Sequence, residues 1–300
     1  MTLTQAPLRR TLPKVTDRFA TFGAVLMVLV VLASILAPWL APYPMDELNP
    51  LIGSQPPSAA HWFGTDQAGR DLLTRILYGG RTSLFIAVAV LGVSALAGVT
   101  LGVVAGYAGG WVRDVIMRVT DVFLAFPALL LSLALAVVLQ PSVTTVIVAI
   151  AVTWWPWYTR LAASMAASIA TRSYVDAARC LGVPAPLIIL RHVLPNSLTP
   201  VLVQLSLDAG GVILTSAALS YLGLGAQEPT AEWGLMVQQG QTLFTTDWWV
   251  VTFPGLAILV TAFAFNVLGE GLRSALDPRS GGARQAKGPA GPGASTGVAE

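Results

Sequence analysis

Charged side chains are scarce in this sequence of 300 residues: Lys, Arg, Asp and Glu make up 11% of it, whereas 55% of the residues are hydrophobic. A water-soluble protein has about a quarter of its residues charged. The deficit excludes a soluble globular domain and indicates a surface covered mainly by lipid. The formal net charge of +2 also excludes the strongly basic field that attracts nucleic acid, so no nucleic-acid partner is expected.

Residues that carry chemistry are equally few. One cysteine, Cys180, excludes an internal disulfide and a zinc site of several cysteines, and we interpret its thiol as a small packing residue. The two histidines, His61 and His192, are too far apart for a His-x-x-x-His zinc motif. Neither lysine, Lys14 or Lys287, lies in a Gly-x-x-x-x-Gly-Lys-Ser/Thr phosphate-binding loop. We therefore expect no metal, no cofactor and no enzymatic activity in this chain.

Long apolar runs occur six times along the sequence. About 20 helical residues cross the roughly 30 Å hydrocarbon layer of a bilayer. No segments of alternating polarity separate the runs, so an α-helical bundle is the architecture that satisfies the backbone in lipid. The sequence predicts an all-α membrane protein with six transmembrane helices, at residues 19–41, 82–107, 119–139, 143–159, 199–223 and 250–272.

The basic residues predict the orientation of these helices. If the N-terminus is cytoplasmic, fourteen Lys and Arg residues fall on the cytoplasmic side and three, Arg70, Arg75 and Arg81, on the opposite side. Cytoplasmic loops carry the excess of basic residues, so we expect a multi-pass protein of the cell membrane with both termini cytoplasmic. The Gly-rich and Pro-rich tail at 276–300 is predicted to be a disordered cytoplasmic segment.

The loop between the fourth and fifth predicted spans, residues 173–196, contains signals for two short helices. Ser173 with Asp176 three residues later predicts a helix start, and Gly182 predicts a left-handed helix end. Pro184 blocks continuation and Pro186 can open the next helix. Such a rigid corner suits a groove on a partner protein, and it equally suits an amphipathic loop on the membrane surface.

The same loop resembles the EAA loop of permeases from binding-protein-dependent ABC importers. That pattern is Glu-Ala-Ala, three residues, Gly, nine residues, Ile, one residue, Leu-Pro. Asp176 stands here for the Glu and His192 for the Ile, and Arg-His-x-Leu-Pro-Asn is similar to the form of the peptide and nickel branch. The positions that the resemblance assigns to coupling with an ATPase are Asp176, Ala177, Ala178, Gly182, His192, Leu194 and Pro195.

Two further segments look like the C-type permease of that branch. One is His-Trp-Phe-Gly-Thr-Asp-Gln-Ala-Gly-Arg-Asp at 61–71, and the other begins with Leu-Ser-Tyr-Leu-Gly-Leu-Gly at 219–225. The resemblance implies a type I ABC importer permease bundle, with its permease domain at 82–275. Residues 1–60 would hold the cytoplasmic N-terminus, the first transmembrane helix and the start of an external loop. Residues 61–81 would form an external motif segment.

The resemblance also implies the function and the partners. The chain would translocate a dipeptide or oligopeptide that an extracytoplasmic solute-binding protein delivers. A second homologous permease would complete the passage, and two ATP-binding subunits would hold ATP and magnesium. Import of a nickel chelate or another small solute by the same machine is the nearest alternative. A proton-driven secondary transporter is the alternative from another class.

Two residues are candidates for the translocation pathway. Asp208 lies inside an apolar run, where a carboxylate facing lipid is costly, so it lines the pathway or belongs to a buried structural pair. Ser216 stands where the family commonly has an acidic residue.

A small-residue face is a separate prediction. Gly98, Gly102, Gly106 and Gly110 repeat at helical spacing, which predicts close packing, within the subunit in preference to a subunit interface.

Overall fold

The computed structural model describes residues 18–276, and the regular secondary structure of this part is helical, with one isolated bridge between Thr65 and Asp71. The predicted tail beyond residue 276 and the basic N-terminal residues before Arg18 lie outside it. The α-helices are α1 (Arg18–Ile35), α2 (Ala37–Leu40), α3 (Leu72–Ala108), α4 (Gly110–Leu124), α5 (Ala128–Val138), α6 (Val143–Ala170), α7 (Ser173–Cys180), α8 (Ala185–Ile188), α9 (Leu194–Tyr221), α10 (Trp233–Gly240) and α11 (Trp249–Leu276). A π-helix, Ile189–Val193, joins α8 to α9, and a 3-10 turn, Gln241–Leu243, follows α10.

The number of membrane spans differs from the prediction. Among the described residues, three helical runs are long and apolar enough to cross a membrane: Leu72–Ala108, Ala185–Tyr221 and Trp249–Ser274. The pair α4 and α5 would add a fourth if its 85° bend belongs to one span, and the apolar part of α1, Phe19–Ile35, is shorter. By length and composition, therefore, six spans are not confirmed.

Two predicted helix boundaries are wrong for local reasons. The continuous helix expected at 119–139 is broken between α4 and α5, because Pro127 disfavours helical backbone at the residue before it. Helix α3 begins at Leu72, ten residues before the predicted start at 82, because the Asp71 carboxylate caps it by accepting a hydrogen bond of 2.8 Å from Thr74 N.

A third boundary lies beyond its predicted position. Helix α6 continues through Ala170, well past the predicted end at 159, so Arg160 is part of a long helix.

Helices α3 and α6 pack closely along the predicted glycine face. A Cβ atom on Gly98, Gly102 or Gly106 would overlap backbone carbonyl oxygens of α6. The close approach lies within the subunit, as expected. The fourth glycine does not join it: Gly110 lies beyond the end of α3, and nothing is within 4 Å of its Cβ position.

An ion-pair network fastens the segment before α3. The Asp66 carboxylate accepts hydrogen bonds from Arg70 Nε at 2.7 Å and from Arg75 Nη1 at 2.5 Å. Arg70 Nη2 also donates to Glu228 Oε1 at 2.8 Å. The link to Glu228 joins residues 158 positions apart, so it holds the loop after α9 against the start of α3.

Candidate functional site: a two-faced loop and a cavity between helices

Helix α7 ends in a glycine turn, as the sequence predicted. Gly182 adopts a positive φ of 73°. Its N–H donates to Arg179 O at 3.0 Å, and Val183 N–H donates to Ala178 O at 3.1 Å. This pair of bonds is the Schellman arrangement, which satisfies the last carbonyls of the helix and reverses the chain. The corner between α7 and α8 is therefore defined by backbone hydrogen bonds.

The start of α7 differs from the prediction. Ser173 is the first helical residue, and the preceding Arg172 occupies the cap position without a side-chain hydrogen bond to the helix. Asp176 instead forms an exposed ion pair with Arg179 at 3.1 Å. Arg179 also lies 5.0 Å from the ring centroid of Tyr107 near the end of α3. The predicted capping role of Ser173 is wrong because the chain enters the helix one residue earlier.

One face of the loop is built into the helical core. Val175, Ala178, Ile188 and Val193 are buried, and they share one hydrophobic cluster with side chains of three long helices. The members from those helices are Val99, Val103, Tyr158, Ala162, Ala166 and Val201. Since closely packed side chains move together, displacement of the loop requires displacement of α3, α6 or α9.

The exposed side of the loop carries large apolar side chains. Leu181 is 83% exposed and Leu190 is 61% exposed, with Tyr174 and Leu187 also exposed. Cys180 is exposed as well, so its predicted packing role is wrong: it lies at the end of α7, away from the face that buries Val175. Large apolar side chains on a rigid corner are typical of a surface that another molecule covers.

The remaining predicted coupling residues are divided between the two faces. Asp176, Ala177, Gly182 and Pro195 are exposed, whereas Ala178 is buried. His192 lies in the π-helix with its ring 6.0 Å from that of Tyr174, and Leu194 begins α9. Helical irregularities of this kind occur frequently at functional sites. From α8 to α9 the helical path is continuous over 37 residues, Ala185–Tyr221.

Asp208, the first pathway candidate, lies at the middle of α9 on a cavity of about 670 Å³. Its Oδ2 accepts a hydrogen bond of 2.9 Å from the Tyr158 hydroxyl, and its Oδ1 accepts one of 2.8 Å from Gln204 Nε2. The carboxylate has a buried partner in Tyr158 and also lines the cavity, so this geometry does not choose between a pathway residue and a buried structural pair. The cavity is lined by Ala128, Trp154, Trp157, Arg160, Leu161, Ser164, Gln204 and Asp208.

Sequence reasoning missed the other wall of this cavity. Trp154, Trp157, Leu161 and Ser164 of α6 follow one another at intervals of three, four and three residues, which places them on one helix face. That spacing could have predicted the shared helix face from the sequence. The contact of Tyr158 with Asp208 could not be predicted in this way, because it depends on how α6 packs against α9.

Ser216, the second pathway candidate, is 1% exposed, and its hydroxyl donates to Ile213 O of the same helix at 2.9 Å. The structure does not bring it to the Asp208 cavity.

Comparison with known proteins assigns the family. Residues 98–281 match the model of the binding-protein-dependent transport system inner membrane component, and residues 15–57 match that of the N-terminal TM domain of oligopeptide transport permease C. The chain belongs to the first of these families: it is a permease component of the ABC importer class, as the loop motif indicated.

Individual relatives agree with this assignment. The chain is 44% identical over 260 residues to the probable D,D-dipeptide transport system permease protein of Escherichia coli K12, covering 87% of each sequence. It is 41% identical to the dipeptide transport system permease protein of Alkalihalophilus pseudofirmus, covering 88% of this chain and 86% of the relative. It is 38% identical to the oligopeptide transport system permease protein of Bacillus subtilis, covering 88% and 87%.

A solved structure shares the fold. The inward-facing MetNI methionine ABC transporter contains a chain that matches with a TM-score of 0.55, covering 68% of this chain and 97% of that one. The sequence identity is 15%, so the likeness concerns the fold alone.

Proposed function

We propose that this chain is the subunit through which a dipeptide or short oligopeptide crosses the membrane. Three relatives that are 38–44% identical over most of the chain carry dipeptide or oligopeptide transport in their names. The family assignment favours an importer component over the proton-driven secondary transporter. In this proposal an extracytoplasmic binding protein delivers the peptide, and a second homologous permease completes the passage.

The energy for transport comes from two separate ATP-binding subunits, which hold ATP and magnesium. The observation that carries this step is the two-faced loop at 173–196: its outer face exposes large apolar side chains, whereas its inner face is packed among α3, α6 and α9. An ATPase that covers Leu181 and its exposed neighbours gains the free energy of their burial, about 1.5–3 kcal/mol for a fully buried leucine. With both termini cytoplasmic, this loop lies on the side where ATP is available.

The loop would then act as a lever. Closure of the ATPase subunits on nucleotide pushes the corner at Gly182, and the continuous helical path from Ala185 carries the displacement into α9. The passage alternates between two arrangements, and ATP shifts the balance between them.

Replacement of Gly182 tests the lever. No atom lies within 4 Å of its Cβ position, so Gly182→Val acts through the positive φ of 73° and not through a clash. A β-branched residue is disfavoured at this φ, so the corner should rearrange. We expect the reconstituted importer to lose about 5- to 30-fold in substrate-stimulated ATP hydrolysis, the factor that corresponds to a cost of about 1–2 kcal/mol. Recovery of this chain in the membrane should not change.

Gly223→Val is the matched control. Gly223 has a φ of 81°, also has no atom within 4 Å of its Cβ position, and ends α9 with the same pair of backbone hydrogen bonds. A valine there introduces the same local strain outside the loop, so substrate-stimulated ATP hydrolysis should remain. Normal stimulation in Gly182→Val, or equal loss of stimulation in both variants, contradicts the proposed coupling role.

A further inference from the structure

The cavity beside Asp208 lies near the middle of two long helices. Asp208 is at the midpoint of α9, and Trp157 is at the midpoint of α6. Its volume of about 670 Å³ is in the range of about 300–1,000 Å³ that holds small-molecule ligands. The size therefore fits a small solute.

One wall of the cavity presents the carboxyl group of Asp208. Tyr158 and Gln204 donate to different oxygens of the Asp208 carboxylate, which holds its orientation. A carboxylate can accept about four hydrogen bonds, so these two leave acceptor capacity for a donor in the cavity. A cationic donor such as an ammonium group makes the strongest bond of this kind.

The other wall presents a positive charge. Arg160 of α6 lines the same cavity, and its Nη2 donates to Asp121 of α4. The guanidinium group has five N–H donors in a planar fork, of which this bond uses one, so it retains donors for a second carboxylate. Its side chain is 55% exposed in the isolated chain, which keeps it accessible from the cavity.

Apolar surface connects the two charges. Trp154 and Trp157 line the cavity one helical turn apart, together with Leu161 and Ala128. Trp157 is 56% exposed, so its ring is accessible to a ligand in the cavity. Tryptophan faces accept both apolar side chains and cations, so they suit a solute whose side chains vary.

We propose that this cavity binds a small zwitterionic peptide, with its N-terminal ammonium group at Asp208, its C-terminal carboxylate at Arg160, and its side chains against Trp154 and Trp157. The inference rests on the proposed function as a peptide permease and adds the chemistry of recognition to it. Recognition by the two termini and an adaptable aromatic surface accepts many side chains while rejecting solutes without both charges.

Direct binding tests this assignment. The probes are L-alanyl-L-alanine, its N-acetyl derivative and its C-terminal amide, titrated into the assembled importer in nanodiscs without the binding protein. Tryptophan fluorescence reports occupancy, and the signal should diminish in Trp157→Phe. We expect the free dipeptide to bind at least about tenfold more tightly than either blocked form, because each loses a hydrogen bond between charged groups.

Variants assign each end of the peptide. Asp208→Asn should abolish the preference over the N-acetyl form and retain the preference over the amide, and Arg160→Gln should do the reverse. Glu270→Gln is the control, because it removes an exposed carboxylate that pairs with Arg273 and does not line the cavity, so both preferences should remain. If a variant does not assemble, the comparison of the three ligands on the unmodified importer still decides the question.

The outcomes separate this inference from the proposed function. Equal binding of the three ligands, or no saturable fluorescence change, overturns the inference when the same importer takes up dipeptide with ATP and its binding protein. If that complete system takes up no peptide, the proposed function fails.

Discussion

The Tyr158 side chain joins the two candidate regions. Tyr158 is fully buried in the cluster that contains Val193 of the loop, and its hydroxyl donates to Asp208 at the cavity. A charge at the middle of an apolar helix needs such partners, because lipid supplies none. The sequence revealed Asp208, since a charge stands out in an apolar run. Its partner came from a different helix, and no local pattern identified it.

Two glutamates that follow α9 have pKa values shifted in opposite directions. Glu232 is 1% exposed, and burial raises its pKa above the ordinary value. Glu228 accepts a hydrogen bond from Arg70, which lowers its pKa despite partial burial. The folded state therefore favours protonation of Glu232 and ionisation of Glu228.

Thermal unfolding of Glu232→Gln tests this difference. The contribution of protonated Glu232 is fully present below its ordinary pKa and is lost as pH rises through the raised one. Between about pH 5 and about pH 8, the advantage of the unmodified chain over Glu232→Gln should therefore shrink. A change of 1 kcal/mol moves the midpoint by about 2–4 °C. A constant difference over this range contradicts the prediction.

Glu228→Gln is the control for Glu232→Gln. The contribution of Glu228 is present above its ordinary pKa and is lost only as pH falls through the lowered one. Its difference from the unmodified chain should therefore be flat from about pH 5 to about pH 8.

Among the helices, the contact between α3 and α6 positions both the loop and the cavity. Three glycines of α3 lie against backbone carbonyls of α6, and α6 carries both Tyr158 and the aromatic wall of the cavity. Spacing predicted this face, because small residues four apart share one side of a helix. It did not predict that Gly110 falls outside, since α3 ends at Ala108 and the chain turns before Gly110.

Two glycine substitutions on one helix test that contact. Gly102→Ala should destabilise the protein by about 1–3 kcal/mol, because the new methyl group would lie 2.7 Å from the Ala162 Cβ. Gly92→Ala, on the same helix with no atom within 4 Å, should be neutral or stabilising by about 0.5–1 kcal/mol through helix propensity. Unfolding midpoints in detergent measure both. Equal effects of the two substitutions would exclude close packing at Gly102.

For the molecule as a whole, the sequence was informative about the class of protein and the geometry of the loop. It was less informative about the number and the bounds of the membrane-spanning helices. Gly182 and Pro186 define the corner through local backbone preferences, so their roles could be predicted from the sequence. The break before Pro127 and the extension of α6 past Arg160 were misread, because apolar composition does not locate a bend or a helix end. The cavity required tertiary structure, since its walls come from helices separated in sequence.

We propose that this chain imports peptide by using ATP hydrolysed on other subunits. The most direct measurement is uptake of labelled dipeptide into proteoliposomes containing the chain, its second permease and its ATPases, with the binding protein outside and ATP inside. We expect accumulation that requires both ATP and the binding protein and is unaffected by collapse of a proton gradient. Accumulation that follows a proton gradient in liposomes containing this chain alone would contradict it.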